Sequence, residues 1–239
     1  MTQSAYDQSA LDEFFFRAFK ECATGIINNL SPDANEPANA TAIQVVTAQL
    51  NYDIARLVYV IDAIQARVHR QPAWVNAAVA VYDMMATSID PAFTHPTQPI
   101  RGAFLVQHQL MRALQAQFTG MMRAQTWSVG FVQFLGQLYM AKDSIGNLTS
   151  GIVLHILRDM VDSENLFLGG NLDLYLDFVI TVGPLLDTQT AEVKAAVDEI
   201  MSKLQERVSN EASATRLAFF GLMKLRESGW RSDDQFGIT

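Results

Sequence analysis

Four histidines, one cysteine and 25 acidic side chains are the groups in this 239-residue chain best suited to acid–base, nucleophilic or metal chemistry. Their spacing does not assemble a site. His69, His95, His108 and His155 form no i, i+3 or i, i+4 pair, and no Cys/His cluster has the spacing that tetrahedral zinc requires. Cys22 stands alone in FFFRAFKECATGII, where a buried thiol is expected rather than a reactive one, and it cannot close an intramolecular disulfide. Adjacent acids occur at Asp12-Glu13, Asp198-Glu199 and Asp233-Asp234, but neighbours on a helix point to different faces and do not converge on one ligand. His155, in GIVLHILRDM, is expected to be a core or groove histidine without a catalytic partner. The Gly-x-Ser-x-Gly elbow, the phosphate-binding Gly-Lys-Ser/Thr loop and the dinucleotide glycine fingerprint are all missing from the sequence. The expectation is a non-enzymatic chain with no catalytic residue, no cofactor and no metal.

Composition points the same way. Hydrophobic residues make up 49% of the chain and charged residues only 18%, which implies a substantial core and much buried helix surface. The net charge of −8 is the wrong sign for a general nucleic-acid binder. Between Arg158 and Glu199 there are nine carboxylates against two basic side chains. Such a face repels RNA; it either attracts a basic protein patch or is simply solvated. Residues 1–13 are polar and do not read as a secretory signal, and no apolar run reaches the length of a membrane span. A lone cysteine and no signal fit a reducing, cytoplasmic setting.

The elements that must position any functional surface read as helices throughout. The apolar periodicity predicts helices over about 9–30, 38–50, 53–69, 73–90, 101–125, 127–142, 148–162, 171–183, 190–208 and 212–228. Prolines and capping acids in SPDANEP (31–37), Gln71-Pro72, the three prolines of DPAFTHPTQP (90–99) and the glycines of LGGN (168–171) punctuate them. Asn147, Asn171 and Ser209 or Asn210 are candidate N-caps. Alternate helix starts at 53, 101, 148 and 190 recur at roughly 40–50 residues, the period of HEAT-type repeats. The fold class expected is all-α, a HEAT-type helical solenoid of about ten helices in antiparallel pairs. It is read as one domain over 1–239, with 1–23 an N-terminal extension or extra helix.

Within that array WSVGFVQFLGQLYMAK (127–142) is apolar on most of its circumference, with Gly130 and Gly136 on neighbouring faces. It is expected to be buried from both sides, with other helices close to its glycines. Tyr52, Leu57 and Val58 match Tyr-x4-Leu-apolar, a peptide pattern for the cap-binding initiation factor, but at a helix start Leu57 and Val58 are expected in the core.

Laid out in order, several segments resemble the middle domain of eukaryotic translation initiation factor 4 gamma. TGIINNLSP (24–32) resembles the opening helix of that family and its Asn-x-Leu-Ser/Thr-Pro ending. LVYVIDAIQARVHRQPAWVNAAVAVYDMM (57–85) resembles the next hairpin, and PIRGAFLVQHQLMRALQAQF (99–118) the helix that follows. SVGFVQFLGQLYMAK (128–142) is similar to its glycine-bearing helix, LDLYLDFVITVGPLLD (172–187) to the following repeat, and RLAFFGLMKLRESGW (216–230) to its closing helix. The basic residues that support RNA contact in the family are thinned here. The same architecture serves poly(A)-binding-protein partners, decay factors and the nuclear cap-binding complex.

The resemblance implies a translation-initiation scaffold that clamps both lobes of a DEAD-box RNA helicase of the initiation factor 4A type. Other initiation factors are possible partners, and direct RNA binding is expected to be weak or absent. The alternative is a related adaptor in messenger-RNA metabolism that does not bind the helicase. The inter-helix turns are the candidate contacts: Asn29, Leu30, Ser31, Pro32 and Asp33, then Arg70, Gln71, Pro72 and Trp74 for one lobe, and Asn165, Asn171, Asp173 and Asp177 for the other. Trp74 is either an exposed anchor or a core residue of the stack.

Overall fold

The structure, a computed structural model, describes residues 3–141 and 148–231. Ten α-helices and no strand occur among them, with a single isolated bridge between Thr94 and Arg101. The fold is all-α, and the described chain divides into two compact units.

The first unit runs to Gln117. It contains α1 (Gln3–Asn29), α2 (Pro37–Ala48), α3 (Ile54–Arg70), a 3-10 turn (Pro72–Trp74), α4 (Val75–Ser88) and the start of α5 (Ala103–Arg123). The second begins at Phe118 and contains the end of α5, then α6 (Val129–Met140), α7 (Ser150–Asp162), α8 (Asn171–Asp187), α9 (Ala191–Ser209) and α10 (Ser213–Glu227). Several helices start where a polar side chain in extended backbone takes up an orphan amide. Asp53 accepts from Ala55 N, Ser128 from Phe131 N, Thr149 from Ile152 N and Thr190 from Val193 N. Glu36 does the same for α2, whose first residue is Pro37, the position where a missing N–H costs nothing.

Alternate helices stack, as in a helical solenoid. In the first unit α1 lies on α3 and α2 on α4; in the second α7 lies on α9 and α6 on α8, with α10 against α8 and α9. Stacked helices run in the same direction: Tyr59 meets Phe19, and one helical stretch later Arg67 reaches Ile27 and Leu30. Trp74 and Tyr82 in the first unit, and Phe131, Phe134, Tyr175 and Phe178 in the second, are fully buried. Each such ring contributes on the order of 2–3 kcal/mol by leaving water. Gly136 permits the α6–α8 approach: a Cβ there would lie 3.0 Å from Thr181 Cγ2 and 3.6 Å from Phe178 Cδ2.

Some expectations need correction. Helix α8 runs four residues past its predicted end and takes Pro184 inside it. The carbonyl left without a donor belongs to Ile180, which is exposed, where water can serve it. Helix α5 starts at Ala103 because Gly102, at φ +55°, turns the chain just before it. Cys22 is exposed, because it sits on the rim of the groove between α1 and α2 rather than under a packed helix. His155 is a surface residue beside Asp159 at 3.5 Å, because α7 turns only its Val153–Leu154 and Ile156–Leu157 side inward. Leu57 is buried as expected, but Val58 is exposed, and so are Val129 and Met140 at the ends of α6. Asn171 is the first residue of α8, with Gly170 as its cap, and α10 is capped at Ala212 rather than Ser209 or Asn210. Lys142, Asn147 and the Asp233-Asp234 pair lie outside the described residues. Residues 3–23 continue into 24–29 as one helix. Among the described helices none is long and apolar enough to cross a membrane.

Candidate functional site

The two N-terminal turns singled out in the sequence come together. Arg67, near the C-terminal end of α3, turns its guanidinium onto the C-terminus of α1, donating to Ile27 O and, at 3.0 Å, to Leu30 O. The same group lies 4.0 Å from the centre of the Trp74 ring, and its Nε donates to Gln71 Oε1 at 3.0 Å. Trp74 Nε1 in turn donates to Ser31 O at 3.3 Å. Asn39, buried in the first turn of α2, closes the loop from the other side. Its Oδ1 accepts from Ser31 N at 2.8 Å, and its Nδ2 donates to Ser31 O and Asp33 O. Burial, and then the neighbouring charge of Arg70, lower the Arg67 pKa, yet a guanidinium stays cationic throughout the working range.

This network sorts the expected contacts. Leu30 and Trp74 are buried, Trp74 to 1% exposure, and offer no surface to a partner. They are interior pieces of the turn because the solenoid needs a large ring under Arg67. Pro72 and Ser31 are half-buried. Asn29, Pro32, Asp33, Arg70 and Gln71 are exposed and form the outward ridge, with Arg70 Nη2 donating to Asn28 Oδ1 at 3.4 Å. Beside them a groove of about 510 Å³ runs between α1 and α2, floored by Gly25, Ile26 and Ala38 and rimmed by Glu21, Cys22 and Glu36.

The second unit repeats the device. Asn171 is 0% exposed; its Oδ1 accepts from Trp127 N at 2.8 Å, and its Nδ2 donates to Gln125 O and Asn165 O, both at 2.8 Å. Asn165 Nδ2 donates to Ala124 O at 3.0 Å. Arg207, near the end of α9, caps the C-terminus of α7 by donating to Val161 O and, at 2.9 Å, to Ser163 O, and lies 5.1 Å from the Phe167 ring. Asn171 is therefore a structural clamp, not a partner contact. Asn165 lines an acid-rimmed groove of about 410 Å³ with Asp159, Asp162 and Glu164. Asp173 and Asp177 stand exposed one turn apart on α8, and burial, then the Asp173 charge, raise the Asp177 pKa.

The acidic stretch is only partly unpaired. Asp162, Asp187, Asp198 and Glu199, four of its nine carboxylates, have a lysine or arginine partner, and Asp159 lies 3.5 Å from His155. Arg226 forks onto Asp187 at 2.7 and 2.8 Å while Trp230 Nε1 donates to the same carboxylate at 2.9 Å. Burial alone would raise the Asp187 pKa. The hydrogen bonds from Arg226 and Trp230 and the charges of Arg226 and Lys194 outweigh it and hold the carboxyl below the ordinary range.

Sequence reasoning missed Arg67, Asn39 and Arg207. For the two arginines the carbonyl partners lie 40 residues away for Arg67–Ile27 and 46 for Arg207–Val161, so no local pattern marks them. The one available signal was a basic residue in the last turn of a helix, which reads as ordinary dipole compensation. Among the described residues no group of three or more His, Cys, Asp or Glu is arranged to hold a metal ion. Neither the protein-family models nor the curated proteins compared with this chain match it.

Proposed function

We propose that this chain is a non-enzymatic translation-initiation scaffold that binds a DEAD-box RNA helicase of the initiation factor 4A type through two turn surfaces, one for each lobe. The observation that carries the reading is the joining of the Asn29–Asp33 and Arg70–Trp74 turns into one surface by buried Arg67, Trp74 and Asn39. A surface already fixed by its own buried hydrogen bonds loses little conformational freedom on docking, so more of the contact energy appears as affinity. The resemblance of the chain's segments to the middle domain of initiation factor 4 gamma supplies the partner's identity.

Contacts to one lobe are assigned to Asn29, Pro32, Asp33, Arg70 and Gln71, and contacts to the other to Asn165, Asp173 and Asp177. Such a scaffold activates by population shift: it favours the half-open helicase only as far as it binds that arrangement more tightly. Moving an equilibrium from 1:99 to 99:1 takes about 10⁴-fold preference. Two surfaces on one chain raise that preference through effective concentration, without new contacts. Direct RNA binding is weak or absent on this reading, in keeping with the net charge of −8. The setting is cytoplasmic.

The test is capture of the helicase by the full chain, with its ATPase rate measured with and without the scaffold. Arg70→Glu and Asp177→Lys should each weaken capture and lower stimulation. Normal capture and stimulation by both variants sinks the site assignment. No stimulation of any helicase, with retained binding to another messenger-RNA factor, replaces the reading with the related adaptor.

A further inference from the structure

At four helix C-termini the chain supplies its own guanidinium, with an aromatic ring beside it. Arg67 and Trp74 serve the end of α1, and Arg207 and Phe167 the end of α7. At the end of α2, Arg56 donates to Gln49 O at 2.8 Å and lies 5.0 Å from the Phe19 ring. At the end of α8 the arrangement includes a carboxylate: Asp187 accepts the Trp230 N–H and the fork of Arg226. The negative end of each helix dipole favours the cation.

The end of α4 has the same parts except the cation. Asp90, two residues past the helix, accepts the Tyr52 hydroxyl on Oδ2 and the Ala92 amide on Oδ1 at 2.7 Å. These bonds hold its carboxyl below the ordinary range. Tyr52 is 58% exposed and packs edge-on to Phe93 with ring centres 5.6 Å apart. It is held there by two consecutive non-glycine residues in left-handed backbone, Asn51 at φ +49° and Tyr52 at φ +55°. Such conformations cost about 1–3 kcal/mol each and persist only where the surroundings impose them. Asp90 and Tyr52 open onto a cleft of about 710 Å³ where the C-termini of α2 (Thr47, Ala48) and α4 (Thr87, Ser88) converge. Among the described residues no lysine, arginine or histidine lines that cleft.

We propose that this cleft binds an arginine side chain of a partner polypeptide, its guanidinium forking onto Asp90 and lying against the Tyr52 ring. A carboxylate has about four lone-pair sites, and Tyr52 and Ala92 occupy two. The remaining two match the parallel N–H donors of a guanidinium, as Arg226 demonstrates on Asp187. A planar guanidinium suits an exposed ring better than an ammonium does. The cleft is far larger than a guanidinium, and Gln44 and Asn51 on its wall supply amide groups for the flanking main chain. The inference stands on the first unit alone and does not depend on the helicase.

The full chain is titrated with acetyl-Gly-Arg-Gly-amide, the same peptide with citrulline or lysine at the centre, and the amide resonances of Asn51, Tyr52 and Ala92 are followed. The arginine probe should give a saturable shift with a millimolar Kd, the lysine probe a weaker one and the neutral citrulline probe none up to roughly 10 mM. Asp90→Asn can keep both internal hydrogen bonds, so an unchanged spectrum elsewhere confirms its fold. It should weaken the arginine probe about tenfold. No saturable shift with arginine, an equal shift with citrulline, or undiminished binding to Asp90→Asn overturns the proposal.

Discussion

The turn that joins α1, α2 and α3 and the turn that joins α7, α8 and α9 solve one problem with the same residue types. In each, an asparagine at the start of the middle helix clamps the preceding loop, and an arginine near the end of the third helix caps the carbonyls of the first. They differ in where the aromatic ring comes from and in how dry the clamp is. Trp74 follows its arginine in the chain and is buried, whereas Phe167 precedes Arg207 and is half-buried. Asn39 serves one loop through part-buried bonds, while Asn171 binds two different loops and its bond from Trp127 N is fully buried. The lesson is that a solenoid turn becomes rigid through one buried amide and one guanidinium.

The clamps separate most clearly on deletion. Asn171→Ala leaves Trp127 N short of its partner in a buried site and Gln125 O and Asn165 O short of theirs in part-buried ones, and should cost about 3 kcal/mol. Asn39→Ala strands groups of a loop that water reaches, and should cost about half as much. Urea unfolding of both variants, with each unit's own tryptophans as reporters (Trp74 in one, Trp127 and Trp230 in the other), checks the order. Equal losses would mean that the two clamps are energetically the same despite their different burial.

The capping arginines come next. Arg67→Met removes the donors to Ile27 O and Leu30 O and leaves the Trp74 face without its cation, for a loss of about 2–3 kcal/mol. Arg207→Met, at a half-buried site with the longer ring distance, should lose about 1 kcal/mol. Amide exchange should speed up for the last turn of α1 in the first variant and of α7 in the second. An unchanged exchange rate at Ile27 and Leu30 would show that Arg67 is not what holds that turn.

Much of this architecture was legible before the structure. Helix positions followed from apolar periodicity and from punctuation such as Glu36-Pro37 and Gln71-Pro72, because those signals act within a few residues. The outward ridge was half legible: Asn29, Pro32, Asp33, Arg70 and Gln71 are where the turns were expected to expose them. Trp74 could not be placed, since an aromatic residue after a proline suits an anchor and a core equally. Asn171 was legible as a helix start but not as a clamp, because its partners are up to 46 residues away. Cys22 and His155 sit in apolar helices, and periodicity cannot tell which side of such a helix lacks a neighbour.

The smallest contrast concerns two aspartates at helix C-termini, Asp187 as the last residue of α8 and Asp90 two residues past α4. Asp187 has an aromatic donor and an arginine; Asp90 has an aromatic donor and no arginine among the described residues. The depressed Asp187 pKa means that the folded state binds its proton less readily than the unfolded chain. Its contribution is therefore fully present above the ordinary value of 3.8 and is lost as pH falls through the lower folded value. Asp187→Asn imitates the protonated carboxyl. With Arg226 at 11% and Asp187 at 17% exposure, the substitution should cost about 1–2 kcal/mol at neutral pH. Arg226 keeps its bond to Asp198, which limits the loss. The gap between the parent and the variant should stay constant from about pH 7 to about pH 5 and close below the ordinary carboxylate value. Urea midpoints across that range, reported by Trp230, decide it. A gap that persists at about pH 2 would mean that Asp187 acts through shape and packing rather than charge.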